Sequence, residues 1–264
     1  LSQAYNSDAL TILSQDLIVS PVDLAVQRES ADQVEGYLYT VNSDGTLPVF
    51  MSIRKEKLQG WGRYETSGSF KNIVNVNREI FAIVERTINS ATVTHLEKLS
   101  NSQFLDAAKS LTSGSATKNY QVAHLPNTSV FVKSGNYSLG SYTTDGSGNV
   151  TLSDAVSSCE IGINYTPTIT TLPPEFQLND GVSVGQKRRI VRAVLDLYKS
   201  LNVKAKGTKI LIRSVTDDFS QAPDVITERK EVYLLGWSKD GTVTITSDEP
   251  LDMSINGILL EVEV

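Results

Sequence analysis

Residues 36–53, GYLYTVNSDGTLPVFMSI, decide the fold class of this chain. Side chains alternate between two faces over residues 36–41, and the same alternation returns over residues 47–53. The intervening Asn-Ser-Asp-Gly, residues 42–45, has the composition of a tight turn, because Gly accepts a positive φ and Asp bonds nearby backbone. The stretch therefore predicts a β-hairpin. Pro48 cannot donate to a ladder, which predicts an edge strand or a position at the start of its strand.

The same alternation, interrupted by clusters of Gly, Asn and Ser, predicts strands along most of the chain. The further predicted strands are 61–64, 70–76, 80–86, 92–99, 120–122, 130–133, 137–143, 150–152, 159–165, 209–215, 232–237, 242–246 and 255–264. Two helices are also predicted: one from the Ser20-Pro21 start signal towards Arg28, and one over residues 101–111, followed by a small polar linker at 112–118. Residues 188–201 fit a helical stripe and a strand face equally well.

Composition excludes several classes of protein. The chain has 264 residues, a formal net charge of −6 and one cysteine, Cys159. One cysteine excludes an internal disulfide framework, and the acidic balance argues against a protein that grips nucleic acid through its phosphates. No apolar run approaches the ~18 residues of a membrane helix, and residues 1–10 lack the pattern of a secretory leader. Since the chain begins without Met, we expect a fragment of a longer protein.

Side chains that could carry metal or nucleophilic chemistry are sparse. His95 and His124 are the only histidines and neither has a second ligand at zinc spacing, so the sequence predicts no metal site. The context of Cys159 begins a strand, where burial would raise the thiol pKa and suppress nucleophilic reactivity.

Candidate acids and partner-contact residues have plain structural interpretations. The acids Asp217, Asp218, Glu228 and Glu231 could serve a glycosidase, but sequence-adjacent acids usually face solvent. One compact basic cluster, Lys187-Arg188-Arg189, is a candidate DNA or partner contact, against the alternative of a solvated strand entry. The aromatic residues that could line a sugar site, and that at strand positions are more often core or subunit contacts, are Trp61, Trp237, Tyr37 and Tyr39.

Seven segments in one order carry a resemblance to a known family. They are 39–47 (YTVNSDGTL), 60–70 (GWGRYETSGSF), 80–86 (IFAIVER), 96–99 (LEKL), 124–132 (HLPNTSVFV), 159–175 (CEIGINYTPTITTLPPE) and 250–262 (PLDMSINGILLEV). In this order they resemble the tail nozzle, or tail tubular protein B, family of tailed phages. The chain departs from that pattern at Pro126-Asn127 and at residues 134–136, both in expected loops.

The resemblance implies a structural virion protein of the phage tail. It implies a homohexameric ring that conducts double-stranded DNA without binding it specifically, contacts a tail adaptor and tail fibres, and has neither catalytic residues nor a cofactor. It also favours a strand over residues 188–201. Two alternatives stay open: a carbohydrate- or receptor-binding β module, which would need a solvent-facing aromatic pair beside polar groups, and a tail-associated cell-wall or capsule hydrolase.

The expected fold is mainly β, with few short helices. We expect a discontinuous antiparallel β platform, residues 1–118 and 173–264, with a small β-barrel or sandwich, residues 119–172, inserted between its two parts.

Overall fold

The computed structural model describes residues 9–11, 14–30, 33–178, 181–182, 185–214, 216–218 and 221–263. It is mainly β, with 58% strand, which confirms the predicted fold class. A three-residue 3₁₀ turn, Gln15–Leu17, is the one helical element of the described residues, and none of those residues forms a helix long and apolar enough to span a membrane. The chain divides into two compact units, Leu1–Ser102 (unit 1) and Gln103–Val264 (unit 2).

Unit 1 is built from strands that pair with their neighbours in sequence. One sheet has the order β1-β2-β3-β4 and the other β5-β6-β7, and all their pairs are antiparallel. The strands are β1 Pro21–Gln27, β2 Gly36–Asn42, β3 Leu47–Ile53, β4 Leu58–Tyr64, β5 Ser69–Val76, β6 Glu79–Ile88 and β7 Ala91–Lys98. The strands predicted at 61–64, 70–76, 80–86 and 92–99 are confirmed as β4, β5, β6 and β7.

The β2–β3 hairpin is the one that the sequence predicts. Gly45 has φ 86°, and a Cβ there would lie 2.6 Å from the Cβ of Ser69, so both the backbone conformation and the space require glycine. The Asp44 carboxylate accepts bonds from the Thr46 N–H (2.9 Å) and hydroxyl (2.7 Å). Pro48 lies near the start of β3, as predicted, but β3 is an inner strand of its sheet and not an edge.

The core of unit 1 lies between its two sheets. Its buried members come from β1, β2 and β3 on one side and from β5 and β6 on the other: Ala25, Tyr39, Val41, Leu47, Val49, Phe70, Ile73, Ile80, Ala82 and Val84. The sheets are joined where β1 meets β5, because the Asp23 carboxylate accepts the Ile73 N–H at 3.0 Å and Asn75 donates to the Val26 carbonyl at 2.6 Å. The bond from Ile73 lowers the pKa of Asp23 below its usual value.

The predicted helix from Ser20 to Arg28 is wrong, because this segment forms strand β1. Val22, Leu24 and Val26 alternate with the buried Ala25, and Pro21 stands first in the strand, where its missing N–H costs no ladder bond. The Ser-Pro signal suits a helix start, but pairing with β2 stabilises the extended form instead.

Unit 2 contains fourteen described strands, several of them only two or three residues long. They are β8 Asp106–Gln121, β9 Ser129–Ser134, β10 Tyr137–Thr143, β11 Asn149–Ile163, β12 Thr168–Thr170, β13 Gln177–Leu178, β14 Gly181–Val182, β15 Arg188–Ser200, β16 Lys204–Ala205, β17 Thr208–Lys209, β18 Ile226–Tyr233, β19 Trp237–Ser238, β20 Thr244–Thr246 and β21 Ile255–Glu263. The sheet orders are β10-β9-β11-β8 and β12-β20-β16-β17, with a separate β13–β14 pair; in a further sheet β15 pairs with β18, β19 and β21.

The predicted helix over residues 101–111 and the linker at 112–118 are also wrong. Strand β8 spans most of both segments and pairs with β11, which in turn fuses the predicted strands 150–152 and most of 159–165. Ala107 has φ 48°, a conformation that interrupts a right-handed helix. The predicted boundary at 118/119 therefore falls inside β8, and strands β8–β11 form an open sheet, since no described sheet closes into a barrel. The division into a platform and an insert stays a prediction.

The ambiguous residues 188–201 form strand β15, as the resemblance favours. β15 pairs with β18 on one side and β21 on the other. Four of its side chains, Ile190, Ala193, Leu195 and Leu197, pack in the core of unit 2. The other buried members of that core are Val203, Ala205, Ile210, Val232, Leu234, Val243 and Ile245.

Two predicted strands near the end of the chain differ from the structure. The prediction at 209–215 is wrong over 210–214, where the chain is irregular, and Val215 lies outside the described residues. The prediction at 232–237 is interrupted after Tyr233, because Gly236 adopts φ 97° between β18 and β19.

Candidate functional site

The predicted basic cluster does not form one patch. Lys187 is exposed, but Arg188 is 2% exposed and donates to the Pro174 carbonyl, and Arg189 is half-buried with its guanidinium 3.9 Å from Glu263. Successive residues of a strand point to opposite faces, so adjacency in sequence separates these side chains. A Cβ at Gly241 would lie 2.5 Å from Arg188 Cδ, so the turn at 239–241 closes over the buried arginine. Of the three, only Lys187 offers an exposed cation.

A more exposed basic group lies at the tip of the β3–β4 hairpin. Arg54, Lys55 and Lys57 surround Glu56 there, and all four are exposed. This group is not among the predicted sites, although the pattern R-K-x-K is visible in the sequence.

The histidines and the cysteine have packing roles. His124 Nε2 lies 2.8 Å from the Ala107 carbonyl, and His95 Nδ1 lies 3.6 Å from Glu97. Cys159 is buried, and burial raises the pKa of its thiol to about 11. Within the described residues, no group of three or more His, Cys, Asp or Glu side chains could hold a metal ion.

Three of the four candidate acids have partners of their own. Asp217 accepts the Ser214 N–H at 2.8 Å, and Glu228 lies 2.8 Å from the Lys230 ammonium. Glu231 pairs with Arg192 at 3.1 Å. Glu228 and Glu231 are exposed and each forms an ion pair, whereas the general acid of a glycosidase needs an apolar setting.

A buried carboxylate that is not among the predicted site residues lies in unit 2. Glu160, on β11, is 8% exposed, and its Oε1 accepts the backbone N–H groups of Phe104 (2.7 Å) and Leu105 (2.8 Å). Burial raises the pKa of Glu160, and the Lys133 ammonium, 4.1 Å from the Phe104 ring centre, opposes that rise. A groove of about 190 Å³ lies beside it. Because its bonds go to backbone, Glu160 fixes the chain as it enters β8.

The candidate aromatic residues divide into packed and exposed members. Tyr39 is 5% exposed and stacks on Tyr37, with ring centres 5.9 Å apart. The Trp61 ring lies 5.1 Å from that of Phe50. Trp237, in contrast, is 52% exposed, and it belongs with two other exposed residues at alternate positions, Tyr233 (70%) and Leu235 (83%). We call the two exposed rings, Tyr233 and Trp237, together with Leu235 between them in sequence, the aromatic ridge.

Motif residues that are distant in sequence meet at three places, which we call the motif joints. At the first, the Phe70 N–H donates to the Gly45 carbonyl at 2.9 Å. At the second, Arg86, 1% exposed, forms two 2.7 Å bonds to Glu97, and a Cβ at Gly68 would lie 2.9 Å from Arg86 Cγ.

The third motif joint lies in unit 2. His124 bonds the Ala107 carbonyl, and a Cβ at Gly162 would lie 2.7 Å from the Asp106 carbonyl oxygen. Both motif residues therefore contact the same short segment at the start of β8. At all three joints the motif residues set the packing of strands.

Comparison with known proteins gives no family assignment. No protein-family model matches the chain, and no curated protein matches it. Among solved structures, one similar chain is an exo-beta-1,3-galactanase from Phanerochaete chrysosporium, determined with galactose, at 12% identity and a TM-score of 0.23. That alignment covers 92% of this chain and 57% of the galactanase chain.

Proposed function

We propose that this chain is a structural virion protein, a subunit of a phage tail nozzle ring that conducts DNA during ejection and holds tail fibres. The proposal rests on the order of seven motif segments that resembles the tail tubular protein B family. In a virion tail, such a subunit acts by assembly and not by catalysis.

The observation that carries the proposal is the second motif joint. Gly68, Arg86 and Glu97 come from three separate segments of the resemblance. Arg86 and Glu97 form an ion pair, and Gly68 packs against the buried Arg86 side chain. Three segments of the resemblance therefore build one packed cluster, which supports a shared framework more strongly than separate turn and strand motifs do.

The proposed partners follow from the same resemblance. They are further copies of the chain in a hexameric ring, a tail adaptor, tail fibre proteins and passing double-stranded DNA. DNA must slide through such a conduit. Each cation that pairs with a phosphate would release a counterion and hold the DNA in place. A net charge of −6 is consistent with this requirement.

Electron microscopy tests the ring directly. We expect negative-stain images of the purified protein to show six-fold rings with a hole wide enough for duplex DNA. Monomers at all concentrations tested, by images and by mass photometry, would contradict the proposal.

A DNA-binding measurement tests the conduit separately. We expect no tight binding of duplex DNA at low salt in fluorescence anisotropy. Submicromolar affinity that falls steeply between about 50 and 200 mM salt would contradict a sliding surface. If such binding is observed, the variants Lys55→Glu at the exposed hairpin tip and Lys187→Glu at the start of β15 show which basic group is responsible, because the affinity falls in only one of them.

The aromatic ridge favours one alternative, a carbohydrate- or receptor-binding module. Tyr233 and Trp237 face solvent, and Arg192, opposite Tyr233 in the register, is held between Glu231 and Glu261. Aromatic rings beside fixed polar groups are suited to a sugar's apolar face and hydroxyls. A glycan array tests this alternative: Trp237→Ala should abolish a positive signal, whereas Trp61→Ala, at a residue packed on Phe50, should retain it.

A further inference from the structure

The three-stranded part of the β15 sheet has two long open edges. β18 pairs with β15 from Arg192 to Ser200, and β21 pairs with β15 from Arg189 to Leu197. Within the described residues, neither β18 nor β21 pairs with any strand other than β15. Each therefore presents a row of backbone N–H and C=O groups to which another strand can bond.

The core of unit 2 is incompletely covered along β21. On β15, Ala193, Leu195 and Leu197 are 0% exposed. On β21, the side chains that pack against the same core remain partly exposed: Ile255, Ile258, Leu260 and Val262. A strand added outside β21 would remove this apolar surface from water, which stabilises by about 25 cal/mol for each Å² buried.

The directions of the two edges fit a head-to-tail contact. β18 and β21 are both antiparallel to β15, so they run parallel to each other. Two copies placed side by side in the same orientation bring β21 of one copy against β18 of the next. Such a contact joins two different surfaces, and repetition around an axis closes it into a ring.

The acids of β21 have basic partners within the same subunit. Glu261 lies 3.0 Å from Arg192, and Glu263 lies 3.9 Å from Arg189, both on β15. Arg192 also lies 3.1 Å from Glu231 of β18. Because these acids are neutralised within the subunit, they present little repulsion to a strand of another copy.

We propose that copies of this chain assemble by adding strand β18 of one subunit to the free edge of strand β21 of its neighbour, which continues the β15 sheet across the subunit boundary. The inference rests on the proposed ring and identifies the surfaces that build it.

Cysteine cross-linking between two single variants tests the contact. Glu228→Cys marks β18 and Leu259→Cys marks β21, both at exposed positions. The two variants are mixed, denatured, refolded together and treated with a short bismaleimide. Separate variants are needed because β18 and β21 of one subunit lie only about 10 Å apart across β15. The native thiol, Cys159, is buried, so unsubstituted protein serves as the control.

Each outcome has a distinct meaning. A two-chain band from the mixture, and none from either variant alone, is the expected result. A band from one variant alone would show like edges in contact and overturn the inference. Six-fold rings without any band would overturn the inference and leave the ring proposal standing. Monomers without any band would overturn both.

A charge placed on the β21 edge provides a second test. Leu259→Lys should raise the concentration for half-assembly by about tenfold or more, because a lysine would be desolvated in the contact. Leu172→Lys, at an 85% exposed residue that is not part of this sheet, is the matched control and should assemble normally. Equal assembly of the two variants would overturn the inference. Thermal melting of both shows whether the subunits remain folded.

Discussion

Arg86 in unit 1 and Arg192 in unit 2 each pair with glutamate, in opposite surroundings. The Arg86 side chain is fully buried and bonds Glu97 twice at 2.7 Å, whereas Arg192 is 36% exposed and lies between Glu231 and Glu261 at 3.1 and 3.0 Å. The Arg86 side chain is removed from water, so without Glu97 its charge would be left in the core. The second is solvated and screened, so water replaces a lost partner. Burial, more than distance, decides what each pair contributes.

Glu97→Ala should have the largest effect on stability. It would leave the Arg86 guanidinium buried without its carboxylate, and we expect a loss of about 3–5 kcal/mol in the free energy of unfolding. Urea denaturation followed by tryptophan fluorescence measures the change. A loss below about 1 kcal/mol would show that water reaches Arg86 and would erase the contrast with Arg192.

Gly68→Ala tests the cover over the buried pair. The added Cβ would lie 2.9 Å from Arg86 Cγ and closer still to the Glu85 carbonyl oxygen, so we expect a loss of about 1–3 kcal/mol. Gly60→Ala on β4, where a Cβ meets nothing within 4 Å, is the matched control. Equal melting temperatures for the two variants would mean that the backbone around Gly68 shifts to accommodate the methyl group without loss of stability.

Glu160→Gln extends the comparison to a buried acid bonded to backbone. Burial raises its pKa above the ordinary 4.5, so the folded state retains a proton that the unfolded state releases. Its contribution to stability is greatest below about pH 4.5 and falls as pH rises through the folded-state pKa. Glutamine can accept the same two N–H bonds without the charge, so the variant should be more stable than the wild type at pH 7.

The pH dependence checks that reasoning. The difference between Glu160→Gln and the wild type in denaturation midpoint should shrink as pH falls from 7 to 4.5. A difference that is constant over this range would contradict an elevated pKa for Glu160.

Arg192→Ala should have the smallest effect. We expect no resolvable change in the unfolding midpoint, at low salt or in 1 M NaCl, because both carboxylates are solvated when the arginine is removed. A clear loss of stability that persists in high salt would show that this exposed group is as important as the buried one.

The fold class was predictable because strand alternation is a local signal. The pattern around Asn42–Gly45 specified its hairpin, including the positive φ of Gly45. The helix predicted at Ser20–Arg28 failed because its outcome depends on pairing with β2 and β5, which no local signal encodes.

Side-chain placement was less predictable than the strands. Lys187, Arg188 and Arg189 form a cluster in sequence, yet the strand separates them and buries Arg188. Glu160 gave no signal at all, because its environment is created by residues 104–105 from another segment.

The sheet that contains β15 has a consequence for the order of folding. In unit 1 every strand pair within a sheet joins neighbours in sequence, so these contacts close short loops and form early during synthesis. In unit 2, Arg189 pairs with Glu263, so β15 waits for β21 until residue 263 has left the ribosome. Until then one side of β15 is open, and for that interval a nascent chain is vulnerable to proteolysis and to pairing with the wrong strand.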